Sequence, residues 1–202
     1  MGSSLKDSAD ADASAAPMPP IGAPVELHPV DPGEHGIQLH VWSEREHVRE
    51  YWEMGQAGGL EGVERYLREK CASGYLHPHL IRVGGIAAGY VELYEYSKDP
   101  VAQVWPGVDG AWGWHIFLGE ERFIGSGHAL GVGRAIMQKL FSVPGCSTVY
   151  CEPDVRNARM HRFVAKLGHQ KVGEAVLPDK TAAIMRCDEA DFAATLEKTP
   201  NK

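Results

Sequence analysis

Hydrophobic and polar positions become regularly spaced from about Gly36. Over residues 36–42, GIQLHVW, they alternate with the two-residue period of a half-buried strand, so a strand is expected there. Residues 44–54, EREHVREYWEM, then place Val48, Tyr51 and Trp52 on one helical face, and 59–71, GLEGVERYLREKC, do the same with Leu60, Val63, Tyr66, Leu67 and Cys71. These two helices are expected to cover one side of a sheet. HLIRV (79–83) and IAAGYVELYEY (86–96) are β-rich runs joined by Gly84-Gly85, a hairpin signal. After a loop rich in Pro, Gly and Asp comes an apolar strand carrying His115, and after Gly127 a helix with Ala129, Val132, Ile136, Leu140 and Val143 at spacings of three and four, stopped by Pro144-Gly145. TVYCE (148–152) is a short strand. Asn157 is placed to cap a helix over 156–168 with Met160, Phe163, Val164 and Leu167 inward, and 171–178 with 181–187 form a last pair of strands about a turn at Asp179-Lys180. Strand, two helices, antiparallel strands, helix, strand, helix and two strands describe a single α+β domain with a mixed, mostly antiparallel sheet.

Composition narrows the partners. The 202 residues are 44% hydrophobic and carry a net charge of -7, which suits a folded domain with a sizeable core and disfavours nucleic acid or an anionic membrane as a partner. The first 24 residues lack the apolar stretch of a signal peptide or anchor and are expected to be a disordered tail, and residues 196–202 a C-terminal tail, leaving 25–195 as the domain. Cys71, Cys146, Cys151 and Cys187 show no CxxC spacing, so free thiols, a cytoplasmic setting and no structural metal are expected, His77-Pro78-His79 being the nearest approach to a ligand pair.

The stretch 111–127, AWGWHIFLGEERFIGSG, concentrates the chemistry. A strand that runs into a glycine loop and a helix start gathers unpaired amides and the positive end of a helix dipole into an anion cradle. Two registers fit it: Arg122-x-x-Gly125-x-Gly127, preferred because it leaves a helix of ordinary length, and His128-x-x-Gly131-x-Gly133. Arg134, Arg156 and Arg159 add positive charge near the same helix mouths, which suits a ligand with several phosphates. His115 reads either as a core histidine or as a base that takes a proton from an amine at neutral pH. Glu152, at the end of TVYCE, either supplies charge at the next helix start or orients His115 and holds a cationic substrate; Asp154 competes with it as a capping residue. Glu92, Tyr94, Glu95 and Tyr96 read as a solvated edge or, together, as a receiver for an amine tail.

In element order over residues 36 to 190, and in these motifs, the chain resembles the GNAT acyl-CoA acyltransferase superfamily. GYVELYEYSKDPVA (89–102), GWHIFLGEERFIG (113–125), YCEPDVRNARMHRFVAKLG (150–168) and DKTAAIMRC (179–187) are similar to its siderophore branch, which acylates lysine-, ornithine- or cadaverine-derived amines. Hydroxylysine acetyltransferases of the aerobactin type and lysine acyltransferases of the mycobactin type are the nearest likeness.

The resemblance implies a GNAT fold and acyl-CoA as co-substrate, acetyl- or succinyl-CoA, bound by Arg122, Gly125, Gly127, Asn157 and Arg159 and by the strand amides of Ile116, Phe117 and Leu118. It implies catalysis by His115 and Glu152, the latter standing where mycobactin-type enzymes have an aspartate, and acceptor contacts from Glu92, Tyr94 and Asp154. It also implies a small amine or hydroxylamine partner. Many superfamily members carry a tyrosine that protonates the leaving thiolate; the matching position here is Val164, a departure shared with the siderophore branch and not with aminoglycoside 6'-acetyltransferases. The readings that compete are an acetyltransferase for aminoglycosides or other small amines, and a catalytically silent acyl-CoA sensor.

Overall fold

A computed structural model describes residues 17–197. Residues 1–16 and 198–202, most of the expected tails, lie outside the described residues. The segment 17–24 is tied to the domain: the Pro19 carbonyl accepts from His128 Nε2 at 2.9 Å and the Pro24 carbonyl from the Gly84 amide at 2.8 Å.

The chain enters as β1 (Val25–Pro29) and turns into α1 (Pro32–Ser43). The strand expected over 36–42 is therefore a helix. Asp31 caps it, its Oδ1 accepting from the Gly33 and Glu34 amides at 2.8 and 3.0 Å, and Pro32 opens its first turn. Its buried positions, Gly36, Leu39, Trp42 and Ser43, repeat at three and four, and a seven-residue alternation was too short to exclude that period. The next expected helix, over 44–54, shrinks to α2 (Glu46–Arg49), because Trp52 leaves the helical path to pack edge-on against Tyr90 and Phe117 and Gly55 turns the chain at φ +75. α3 (Gly59–Ala72) forms as expected.

β2 (Leu76–Val83) and β3 (Ile86–Glu95) make the hairpin at Gly84-Gly85, and a short α4 (Val101–Val104) interrupts the loop before β4 (Trp112–Leu118). Then come α5 (His128–Phe141), β5 (Thr148–Cys151), α6 (Ala158–Ala165), β6 (Gln170–Val176), β7 (Thr181–Asp188) and α7 (Glu189–Glu197). The sheet has seven strands in the order β1-β2-β3-β4-β5-β7-β6, antiparallel except between β4 and β5. It is an α+β fold with one mixed sheet.

Helices cover both faces. On one, Val132, Ile136, Met137 and Leu140 of α5, Val164 of α6 and Phe192 of α7 pack on Ile81, Val91, Trp114 and Val149. On the other, Leu39 and Trp42 of α1 and Val63 and Leu67 of α3 meet Leu80, Tyr90 and Phe117. Alternation along β4 sends Trp114 to the first layer and His115 and Phe117 to the second.

One polar anchor fixes α1 at the end of β4. Trp42 Nε1 donates to the buried Glu120 carboxylate at 2.7 Å, and Arg45 pairs with the same carboxylate at 3.2 Å and donates to the Gly119 carbonyl at 2.7 Å. His47 Nε2, one residue into α2, donates to the Leu118 carbonyl at 2.9 Å. Trp42 is fully buried, so Trp42→Ala combines a large cavity with a lost donor to a buried carboxylate. Its unfolding free energy in a urea titration should fall by about 3–5 kcal/mol.

Candidate active site

β4 and β5 are hydrogen-bonded only at Trp112↔Val149 and Gly113↔Tyr150. β4 then continues to Leu118 while β5 ends at Cys151, so the two strands part and the β5-facing edge of residues 114–118 is left without a strand partner. Unpaired backbone groups at a half-buried edge must be satisfied by something else, and an extended ligand can do so. Ile116, Phe117 and Leu118 stand along this edge.

His115 projects from β4 at the mouth of this opening, between two carboxylates. Its Nε2 is hydrogen-bonded to Glu152 Oε1, and its Nδ1 lies 3.2 Å from Glu92 Oε2. Each carboxylate is held in turn. Glu92 Oε1 accepts from Tyr66 on α3 at 2.6 Å and from Tyr90 at 2.9 Å, while Glu152 Oε2 accepts from Tyr94 at 2.8 Å. The Tyr94 ring lies 4.7 Å from the imidazole and Trp52 meets it edge-on at 5.9 Å. Glu92 and Glu152 are buried, with 1% and 5% exposed, whereas the His115 side chain keeps 26%.

Burial alone would push the His115 pKa down, but Glu152 first and Glu92 after it overcome this and raise it from 6.5 to about 10. Burial likewise pushes Glu92 and Glu152 up, and the facing imidazolium outweighs it, so both carboxyls titrate below their ordinary range. The cluster at neutral pH is two carboxylates around one imidazolium, with one net negative charge in the opening. The expectation of His115 as a base at neutral pH meets a physical obstacle: both ring nitrogens face carboxylate oxygens, so no lone pair is left to accept a proton.

Glu92 and Tyr94 were expected to receive an amine, yet both are buried and their polar atoms are engaged within the cluster. β3 is central in the sheet, not an edge; of the acidic and aromatic set only Glu95 faces outward, paired with Lys98 at 2.8 Å. Asp154 is absorbed by Arg156, which it grips at 2.6 Å and 2.9 Å and which depresses its pKa to about 2, so neither is free for a ligand. Trp52, Tyr66 and Tyr90 were not singled out as site residues. Trp52 and Tyr66 had a place only on apolar helical faces, and Tyr90 only within a β-rich run.

The cradle lies at the start of α5. The helix begins at His128, preceded by Gly127 at φ +93, a left-handed conformation that a side chain disfavours. This agrees with the helix start of the Arg122 register, and it places Gly131 and Gly133 inside the helix, so the orphan amides of 127–130 run from the end of one pattern into the start of the other. Gly133 permits close packing on Phe163 of α6 and on Leu167 just beyond it, while a Cβ at the exposed Gly131 would meet only Val25, at 4.0 Å. Arg122 lies over the Phe123 ring. Arg134 keeps a buried Nε with no hydrogen-bond partner, and Arg159 is exposed and makes no ion pair among the described residues. Asn157 Oδ1 is engaged in capping α6 through the Met160 amide at 3.0 Å. Unpaired helix amides, an orphaned guanidinium nitrogen and an exposed arginine fit a phosphate-bearing co-substrate.

A sheet that opens between two parallel strands, beside a glycine loop at a helix start, defines an acyl-CoA transferase architecture. The family model for the acetyltransferase (GNAT) domain matches residues 31–177, and the chain belongs to that family. It is an acyl-CoA-dependent N-acyltransferase. Among its relatives is the lysine N-acyltransferase MbtK of Mycobacterium sp. (strain MCS), 26% identical over 171 residues, 84% of this chain and 69% of the relative. Another is the N-hydroxyputrescine acetyltransferase of Acinetobacter baumannii, 26% identical over 75% of this chain and 71% of the relative. The likeness to the siderophore-type branch therefore holds, at low identity. Among solved structures, aminoglycoside acetyltransferase AAC(6')-Ib in complex with coenzyme A superposes with a TM-score of 0.75 at 24% identity, covering 86% of this chain and 99% of that one.

Two substitutions separate the halves of the site. An added Cβ at Gly113 would run into the Tyr94 ring, whose hydroxyl holds Glu152. Gly113→Ala should lower kcat about tenfold or more and leave the KM for acyl-CoA nearly unchanged. Gly131→Glu puts a negative charge at the open helix start and should raise that KM by about tenfold with a smaller effect on kcat. A third prediction concerns stability. The His115 pKa is raised on folding, so its ion pairs stabilise the fold fully below about pH 6.5 and less as pH rises toward 10. The stability gap between wild type and His115→Gln, read by denaturant titration, should shrink across that window.

Proposed function

We propose that the protein transfers an acyl group from acyl-CoA to the nitrogen of an N-hydroxylated amine, such as a hydroxylated lysine, ornithine, putrescine or cadaverine, giving a hydroxamic acid. The observation that carries this reading is the state of the His115 cluster. The imidazole is tied up as a cation and the carboxylates are weak bases, so the site is poorly equipped to strip an ordinary ammonium. An alkylamine with a pKa near that of lysine, about 10.4, would cost roughly 4.6 kcal/mol to present as the neutral nucleophile at pH 7. An N-hydroxylated amine is far less basic, because the attached oxygen withdraws electrons, and arrives neutral. It needs a proton acceptor only after attack, when the nitrogen of the tetrahedral intermediate has become acidic enough for a carboxylate to take its proton.

In this reading His115 and Glu152 are the catalytic pair. The net negative charge of the cluster favours the ammonium character that develops on the attacking nitrogen, and the unpaired edge of Ile116, Phe117 and Leu118 supplies amides to the acyl carbonyl. The α5 start with Arg134, Arg159 and the Arg122 loop holds the pyrophosphate. Cys151 offers no competing nucleophile: burial and the neighbouring Glu152 push its thiol well above the ordinary range, and it is only 1% exposed. The name of one relative, the N-hydroxyputrescine acetyltransferase, supports a hydroxylated acceptor, whereas that of the lysine N-acyltransferase supports an amine acceptor only.

The architecture shared with AAC(6')-Ib supports a second reading, acetyl transfer to an aminoglycoside. Its discriminant is the acceptor. A matrix of acyl-CoA thioesters against N-hydroxylated diamines, their unhydroxylated parents and kanamycin, followed as thiol release, should show kcat/KM at neutral pH at least about a hundredfold higher for the hydroxylated member of each pair. Equal rates for hydroxylated and parent amines, or preference for kanamycin, would sink the proposal.

A further inference from the structure

Glu92 holds the imidazole nitrogen that Glu152 does not reach. It is a buried carboxylate behind the reacting face, on the central strand β3, and three groups converge on it: two phenols on Oε1 and the imidazole on Oε2. We propose that Glu92 is a positioning residue which, held by Tyr66 and Tyr90, clamps His115 from its buried side in the doubly protonated form, so that Glu152 and not the imidazole takes the proton of the acceptor nitrogen. This rests on the reading of the site as an N-acyltransferase centre.

The argument is one of donors and acceptors. A neutral imidazole has one donor and one acceptor nitrogen. Here both nitrogens face carboxylate oxygens, and an imidazole acceptor opposite a carboxylate would set two lone pairs against each other in a buried site. Oε1 of Glu92 already accepts from two phenols, so Glu92 stays ionised and its second oxygen requires a donor at Nδ1. With Nδ1 and Nε2 both protonated, the carboxylate with the more accepting capacity to spare is Glu152, whose oxygens hold one bond each, from His115 and Tyr94, where Glu92 Oε1 already holds two.

Other charges around the ring act in the same direction or lie further off. Lys70 of α3 favours the ionised form of Glu92, Lys180 in the β6–β7 turn does so for Glu152, and Asp99 beyond β3 adds negative charge that favours the imidazolium. Tyr66, Tyr90 and Tyr94 are held neutral by burial and the adjacent carboxylates, and Trp52 contributes an apolar edge.

The transfer then balances as follows. The acceptor nitrogen forms the C–N bond as the carbonyl π pair moves to oxygen, and Glu152 takes the N–H proton. The oxyanion pair re-forms C=O as the C–S bond breaks, and the proton held by Glu152 ends on the departing sulfur. His115 remains an imidazolium throughout, and both carboxylates are as they began.

The test is the 15N-detected titration of His115 in the intact protein, with and without Glu92→Gln, alongside steady-state kinetics. Wild-type His115 should stay doubly protonated at pH 8, with a midpoint near 10. Glu92→Gln should lower that midpoint by about one pH unit or more, reduce kcat roughly tenfold and leave the KM for acyl-CoA within about twofold. Glu92→Asp, which keeps the charge, should restore most of the midpoint. An unmoved midpoint in a folded Glu92→Gln protein overturns the clamp, as does a singly protonated wild-type His115 at pH 8. Should Glu92→Gln not fold, Tyr66→Phe removes one of the two donors; a kcat reduced several-fold at unchanged acyl-CoA KM supports the clamp, and an unchanged kcat overturns it. Because the titration needs no substrate, it reads the clamp even where no N-hydroxylated amine is turned over, so failure of the acceptor assignment is seen separately.

Discussion

An imidazolium held between two buried carboxylates is the interaction on which the rest of this site depends. Each carboxylate would be costly to bury alone, by several kcal/mol, and becomes tolerable only because a cation and phenolic donors satisfy its oxygens. That requirement reaches across the domain. Tyr66 comes from α3, Tyr90, Glu92 and Tyr94 from β3, His115 from β4 and Glu152 from the end of β5. A helix that slipped, or a strand out of register, would leave a charge unpaired, so the chemistry of the site and the packing of the second layer constrain each other.

The opening between β4 and β5 gives the cluster its use. Parallel pairing limited to two residue pairs leaves one edge of β4 free, and the same divergence brings Glu152 across to His115. The glycine loop follows directly from the end of β4 and leads into the start of α5. The anion cradle and the proton-handling cluster are thus two products of one topological feature, the place where the sheet stops being continuous. The anchor of Trp42, Arg45 and His47 on residues 118–120 ties α1 and α2 to the far end of β4, and through them it positions Trp52 against the imidazole.

Much of the fold was legible where long periodic runs meet strong punctuation. α3, the Gly84-Gly85 hairpin, α5 after Gly127, α6 behind its Asn157 cap and the closing β6–β7 pair follow from spacing and capping. Residues 36–42 failed because seven residues carry too little period to separate a strand from a helix, while the decisive signal, Asp31-Pro32 before them, is a capping signature. The helix expected over 44–54 failed because aromatic packing of Trp52 on the sheet outweighs its local propensity. β1 and α7 carried weak patterns and were not anticipated.

For the site, the sequence by itself determined the presence of a histidine on an apolar strand, a glutamate at the end of the neighbouring one, and a glycine loop opening a helix. Those are local features, fixed by neighbours within a few residues. Only the tertiary structure decided what they do together, because protonation depends on what stands across the sheet. Glu92 moved from a presumed acceptor contact to the back of the imidazole, Asp154 was taken by Arg156, and His115 became a cation once carboxylates faced both ring nitrogens. A pKa is set by distances of a few ångströms between residues tens of positions apart, and such distances exist only in the folded chain.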